Sequence, residues 1–272
     1  MKITKITNDT PAHLRRQIYV GSQVDIENMD SIDFNYFKLI KKSLIYGLIP
    51  FSLFRSSKSL KKDINNCILE KPICCLIDDV VNDFNFPPYH PVRNTIYSCS
   101  DYDPTLYIPL ADFHEYAFES KIASFKEMCS TLGAEYCTIT HAEVDGIDIT
   151  AKIKANIPVE KEVVGGSNDG AIHIKKGMSS KYSSTFPKPK FLIKEYKSNF
   201  MKSEPSWVTV QKNRLERGLE NDKAEVNYID EMGITADLAL GYKKMGFSIG
   251  GTFKKIKRRK FTFEIQFWPI ED

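Results

Sequence analysis

An acid and a base stand two residues apart at the end of "KFLIKEYK", as Glu195 and Lys197. On an extended strand residues i and i+2 share a face, so the two side chains would project together. With Asp169 as a second carboxylate upstream, they supply the raw elements of a metal-dependent nuclease site. Carboxylates hold Mg²⁺ there, and a lysine steadies the developing charge. The Glu-x-Lys spacing is common by chance, however, and Asp169 lies in "GSNDG", whose composition is that of a turn. These three are the catalytic candidates, and they carry the third of three function classes.

The histidines, His13, His90, His114, His141 and His173, are scattered, with no pair at metal-ligand spacing. In "THAEVD" His141 and Glu143 would share one strand face, giving two of the three or four ligands that zinc takes. No third lies near in sequence, so a polar sheet face is the expected reading, and neither metal nor cofactor is expected. "GFSIGG" (Gly246 to Gly251) lacks the Lys-Ser/Thr of a phosphate-binding loop and leads into a strand pattern, so its glycines are expected to permit a bulge or a close backbone approach. The basic run "KKIKRRK" holds Lys254, Lys255, Lys257, Arg258, Arg259 and Lys260. Between two strands it would form the solvated turn and rim of a hairpin, where charge also protects an edge. The alternative is a weak contact with phosphate or nucleic acid, for which Phe253 or Phe261 could offer a stacking surface.

A further candidate is a pattern. From Gly146 to Lys176 the chain alternates apolar and polar residues twice. Ile147, Ile149, Ile153 and Ile157 fall on one face of a first strand over 147–157, with Asp148, Thr150, Lys152, Lys154 and Asn156 on the other. Ile172 and Ile174 mark a second strand over 171–175. A half-buried hairpin reads this way by default. A strand that inserts into lipid needs about 9 to 11 residues of the same alternation, which the first strand has.

The elements that would position these residues follow from periodicity and punctuation. Helical spacing runs from Ser31 to Leu48, where Pro50 ends it, and again over 60–82. "NDFNFPPYHPVRN" is dense in turn formers and reads as a boundary. After a strand at 94–99, Asp112 and Glu115 open a helix whose stripe is Phe113, Tyr116, Ala117, Ile122, Phe125 and Met128, and Gly133 stops it. Strands are expected at 136–144 and 191–196. "EPSWVTVQKNRLERGL" is amphipathic, with Trp207, Val208, Val210, Leu215 and Leu219 inward and Lys212, Arg214 and Arg217 outward. A strand at 224–229, a helix at 233–245 and a terminal hairpin of 247–256 with 261–267 complete the order. The helix, glycine and strand of 112–144 recur in kind at 205–229, but the residues do not match.

Composition sets the outer bounds. The chain has 272 residues, 42% hydrophobic and 27% charged, which suits a folded protein and not a disordered one. With 38 basic against 35 acidic residues the net charge is +3, so no global field draws it to nucleic acid or anionic lipid. The start lacks the apolar run of a secretory signal, and Leu44 to Phe54 is too short to span a bilayer. Six cysteines without CxxC spacing read as reduced thiols, several in the core, of a cytoplasmic protein. The expected fold is α+β: a helical part over 1–92, then a mainly antiparallel or mixed sheet over 93–272 with two or three helices on one face. The leading function is a non-catalytic intracellular binding or accessory protein with a protein partner, drawn to an apolar patch at Leu44 to Phe54 and the C-terminal aromatics. Insertion of 146–176 into a membrane is the second reading and the nuclease the third.

Overall fold

The computed structural model describes residues 3–28, 72–100, 102–151, 182–190, 193–230, 233–244, 246–253 and 258–270. They form an α+β fold in two compact units, each assembled from two stretches of chain: Met1–Phe113 with Glu231–Phe253, and His114–Asp230 with Lys254–Asp272.

The first unit is built on a mixed sheet of β1 (Gln17–Gly21), β2 (Ile73–Leu76), β3 (Thr95–Cys99) and β4 (Tyr107–Pro109), in the order β2-β1-β3-β4. β2 runs parallel to β1 and the other pairs are antiparallel. The expected boundary between residues 92 and 93 falls inside this sheet, with β1 and β2 before it and β3 and β4 after it. The helix expected over 60–82 is, where described, the strand β2 followed by a single turn, α2 (Ile77–Val80). "ICC" is apolar throughout and opens on a β-branched residue, which suits a strand whose Cys74 and Cys75 are buried on opposite faces. The helix expected from Ser31 to Leu48 lies outside the described residues, apart from α1 (Gln23–Asn28) ahead of it. On one side of the sheet Ile18, Val20, Cys75, Val80, Phe84, Tyr97, Cys99 and Tyr107 form the core. Tyr19 points the other way, onto Phe247 at 5.2 Å between ring centroids. Phe247 follows α5 (Ala236–Lys244), whose Tyr242 hydroxyl donates to Gln17 Oε1 at 2.6 Å.

Where described, residues 247–253 do not form half of the expected terminal hairpin. Ser248 makes a single parallel bridge with Thr95, and Ile249 O accepts from Ala111 N–H. Gly250 has φ +84°, and a Cβ there would lie 2.5 Å from Pro109 Cβ, so glycine is required where the two backbones meet.

The second unit has a sheet in the order β6-β5-β9-β8, with a short β7 also on β5. Its strands are β5 (Ala134–Val144), β6 (Ile147–Asp148), β7 (Ser184–Thr185), β8 (Asn221–Ile229) and β9 (Arg258–Phe267). β9 runs antiparallel between β5 and β8. The alternation of "FTFEIQF" places Phe261, Phe263, Ile265 and Phe267 inward, all fully buried, and these C-terminal aromatics are therefore core rather than an exposed patch. Over them pack α3 (Phe113–Thr131) and α4 (Pro205–Arg217). The α3 stripe is as expected except that Phe118, not Tyr116, is buried, and Gly133 follows at φ +74°. The strand expected at 191–196 is absent over its described part, residues 193–196, which join no sheet among the described residues.

α4 is turned from the expected face. Trp207, Val210, Gln211 and Arg214 are buried, whereas Val208, Leu215 and Leu219 are exposed. The guanidinium can be buried on this face because carbonyl acceptors surround it. Arg214 donates to the carbonyls of Leu132, Gly218, Leu219 and Trp268, and it lies over the Phe267 ring at 4.9 Å. Free cysteines Cys74, Cys75, Cys99, Cys129 and Cys137 are all buried. Among the described residues no helix is long and apolar enough to cross a membrane.

Candidate functional site

Of the residues singled out for chemistry, Glu195 and Lys197 form an ion pair at 3.1 Å with side chains 56% and 80% exposed. Water screens such a pair, and an exposed carboxylate bonded to an ammonium is poorly placed to hold a cation. Asp169 lies outside the described residues. His141 and Glu143 both lie on β5, and His141 Nδ1 is 3.8 Å from Asp148 Oδ2. Among the described residues no three His, Cys, Asp or Glu side chains gather closely enough to hold a metal ion.

Lys254, Lys255 and Lys257 lie outside the described residues, and the rest of the basic run belongs to strand β9 instead of a turn. Arg259 is buried, its guanidinium 4.9 Å over the Phe118 ring, and its Nε has no hydrogen-bond partner among the described residues. Burial works against its charge, which Tyr182, Glu115 and Glu119 support. Lys260 pairs with Glu225 at 2.6 Å, and that contact holds the Glu225 carboxyl below its ordinary range. Arg258 alone of the three is exposed.

In the alternating segment, β6 ends at Asp148 and Thr150 and Ala151 are helical, so the strand expected over 147–157 stops after two residues. Ile149 is buried, but Ile147 is 49% exposed. The strand ends because local bonds compete with the ladder: Thr150 N–H donates to Asp148 Oδ1, and Thr150 Oγ1 accepts from Ala142 N–H. Ile153, Ile157, Ile172 and Ile174 lie outside the described residues.

The most distinctive exposed geometry lies in the proline-rich stretch that the sequence marked only as a boundary. Pro87 is buried, and His90 N–H donates to Pro87 O at 3.0 Å, closing a turn around Pro88 and Tyr89. Tyr89 takes φ +67°. Proline followed by a residue of positive φ is the pattern of a type II turn, whose third position favours glycine. A side chain with a Cβ there costs roughly 1–2 kcal/mol. The ring recovers none of this by packing, because Tyr89 is 99% exposed.

Its flanks are fixed. The Tyr97 hydroxyl, on the fully buried side chain of β3, lies 2.7 Å from His90 Nδ1 and accepts from Val92 N–H at 2.7 Å. Phe86, ahead of the turn, packs edge-on to Tyr97 at 5.2 Å. Burial pushes the Tyr97 phenol up to about 12, so it stays protonated and keeps a hydrogen to donate. Burial also holds His90 below its ordinary value, against the pull of Asp112. A neutral imidazole accepting from Tyr97 fits both. The sequence signal was available as Pro-Pro-Tyr-His-Pro, but nothing local revealed that Tyr97 would anchor both sides of the turn.

Comparison with protein-family models, with curated proteins and with solved structures gives no match for this chain in any of the three.

Proposed function

We propose that this chain is a non-catalytic intracellular binding or accessory protein that acts with a protein partner, and that Tyr89 is inserted into that partner. One observation carries the reading: a tyrosine occupies a turn position suited to glycine, fully exposed, between neighbours tied to one buried phenol. The turn backbone that presents the ring is already fixed and has little conformational entropy left to lose on binding, and tyrosine is among the residues that dominate interface energetics.

The test is Tyr89→Gly. The variant is expected to match the wild type in stability or exceed it by up to about 1 kcal/mol in urea, because the strained φ is relieved while the unfolded chain gains freedom. Tagged wild type, Tyr89→Gly and Tyr89→Phe are then recovered from the native host and their co-purifying proteins quantified. A discrete partner retained by phenylalanine and lost by at least tenfold with glycine supports the reading. Equal recovery by all three, or nothing above a tag-only control, sinks it.

A second reading keeps the membrane hairpin over 146–176, favoured by Ile147 standing half exposed where an inward face was expected. Its measurement is dye release from liposomes, with the protein intact and after limited proteolysis. Release after cleavage supports insertion, and retention of dye across neutral and anionic lipids rejects it.

A further inference from the structure

β8 is an end strand of its sheet among the described residues. An antiparallel end strand turns the N–H and C=O of alternate residues outward, a template for another chain. On β8 the outward groups of Glu225 and Asn227 are taken by side chains instead. Ser206 Oγ donates to Glu225 O at 3.1 Å and accepts from Glu225 N–H at 3.2 Å. Trp207 Nε1 donates to the same Glu225 carbonyl at 2.8 Å. Glu204 Oε1 accepts from Asn227 N–H at 3.4 Å, and Lys121 Nζ donates to Asn227 O at 2.5 Å. Lys121 and Glu204 also pair with each other at 2.6 Å, with side chains only 4% and 2% exposed.

A buried ion pair is a weak source of stability, since an apolar pair of similar volume commonly serves as well. Burial in fact raises the Glu204 carboxyl above its ordinary range in spite of the lysine beside it. An apolar pair would, however, leave both outward groups of Asn227 unbonded. The ion pair with Ser206 and Trp207 therefore does something that packing alone does not: it occupies the strand edge. We infer that Lys121, Glu204, Ser206 and Trp207 form a side-chain cover over the outer edge of β8 that prevents it from pairing with β8 of a second copy of this chain. The second copy is the fitting occupant because an antiparallel β8 pair centred on Ala224 sets Lys223 opposite Glu225 twice, and opposite charges across strands attract. Such a contact is two-fold and closes on itself.

The test uses the full chain with Lys121→Met, Glu204→Leu and Ser206→Ala together, compared with wild type by sedimentation velocity over a wide concentration range. The expected result is a concentration-dependent rise toward twice the wild-type mass, with the far-ultraviolet circular dichroism unchanged. Adding Glu225→Pro removes an outward N–H without breaking the ladder to β9, and it is expected to return the mass to the wild-type value. Should the triple variant fail to fold, Ser206→Ala alone frees the Glu225 N–H and is expected to shift the mass in the same direction, to a smaller extent. A folded variant that sediments as wild type at every concentration overturns the inference. So does an association that Glu225→Pro leaves intact.

Discussion

Tyr97 is the residue on which the exposed turn depends, and its partner His90 gives that turn a pH dependence whose sign follows from burial of the imidazole. Burial lowers the folded-state value of His90 below the ordinary histidine value of about 6.5. Just below pH 6.5 the unfolded chain therefore binds a proton there that the folded chain does not, so this contribution to stability is full above that pH and is lost as the pH falls through the folded value. Urea midpoints measured from pH 7.5 to pH 5 are expected to fall more steeply in wild type than in His90→Asn. Parallel slopes would remove His90 from the account.

At the scale of elements, α4 teaches most. The charge of Arg214 argues for a solvent face, yet the residue lies seven positions after Trp207 on the same helical stripe as Val210 and Gln211 and is buried with them. The reason is that three elements end together: the end of α3 at Leu132, the end of α4 at Gly218 and Leu219, and the end of β9 at Trp268 all turn carbonyls toward one guanidinium. Planar, with five donors, arginine satisfies them together. Arg214→Met is expected to cost about 2–4 kcal/mol, since it keeps the volume and orphans the carbonyls. Arg214→Lys should recover only part of this, having lost the fork. Both are read from chemical denaturation midpoints. A cost within about 0.5 kcal/mol, as for an ordinary surface change, would mean that water satisfies those carbonyls.

The whole molecule is interleaved. Glu231–Phe253, which belongs to the first unit, enters the sequence between β8 and β9, and these two strands pair from Ile229↔Arg258 onward. The second unit thus contains a β8–β9 pair whose connection runs through a segment of the first. A chain of residues 114–272 in which a short glycine-rich turn replaces 231–256 is expected to retain the α3, α4 and five-strand core and to melt in one cooperative transition. Loss of cooperative melting would show that the second unit does not hold its fold without the segment removed.

Local pattern alone determined a good part of this architecture. The alternation of Phe261 to Phe267, the α3 stripe ended by Gly133, and the strands at 94–99, 136–144 and 224–229 each follow from periodicity and turn chemistry, which act within a few residues. The α+β class followed from their order. Only the tertiary structure decided what β9 pairs with, because strand partners are chosen by burial across the sheet, and the described part of the nearer candidate, 247–253, belongs to the other unit. It likewise supplied the acceptors that allow Arg214 to be buried, two of them carbonyls some 50 to 80 residues away in the chain, and it set Tyr89 in the open between neighbours tied to one phenol on the strand that follows the turn, whereas the strand at Ile147 was cut short by the local bonds of Thr150.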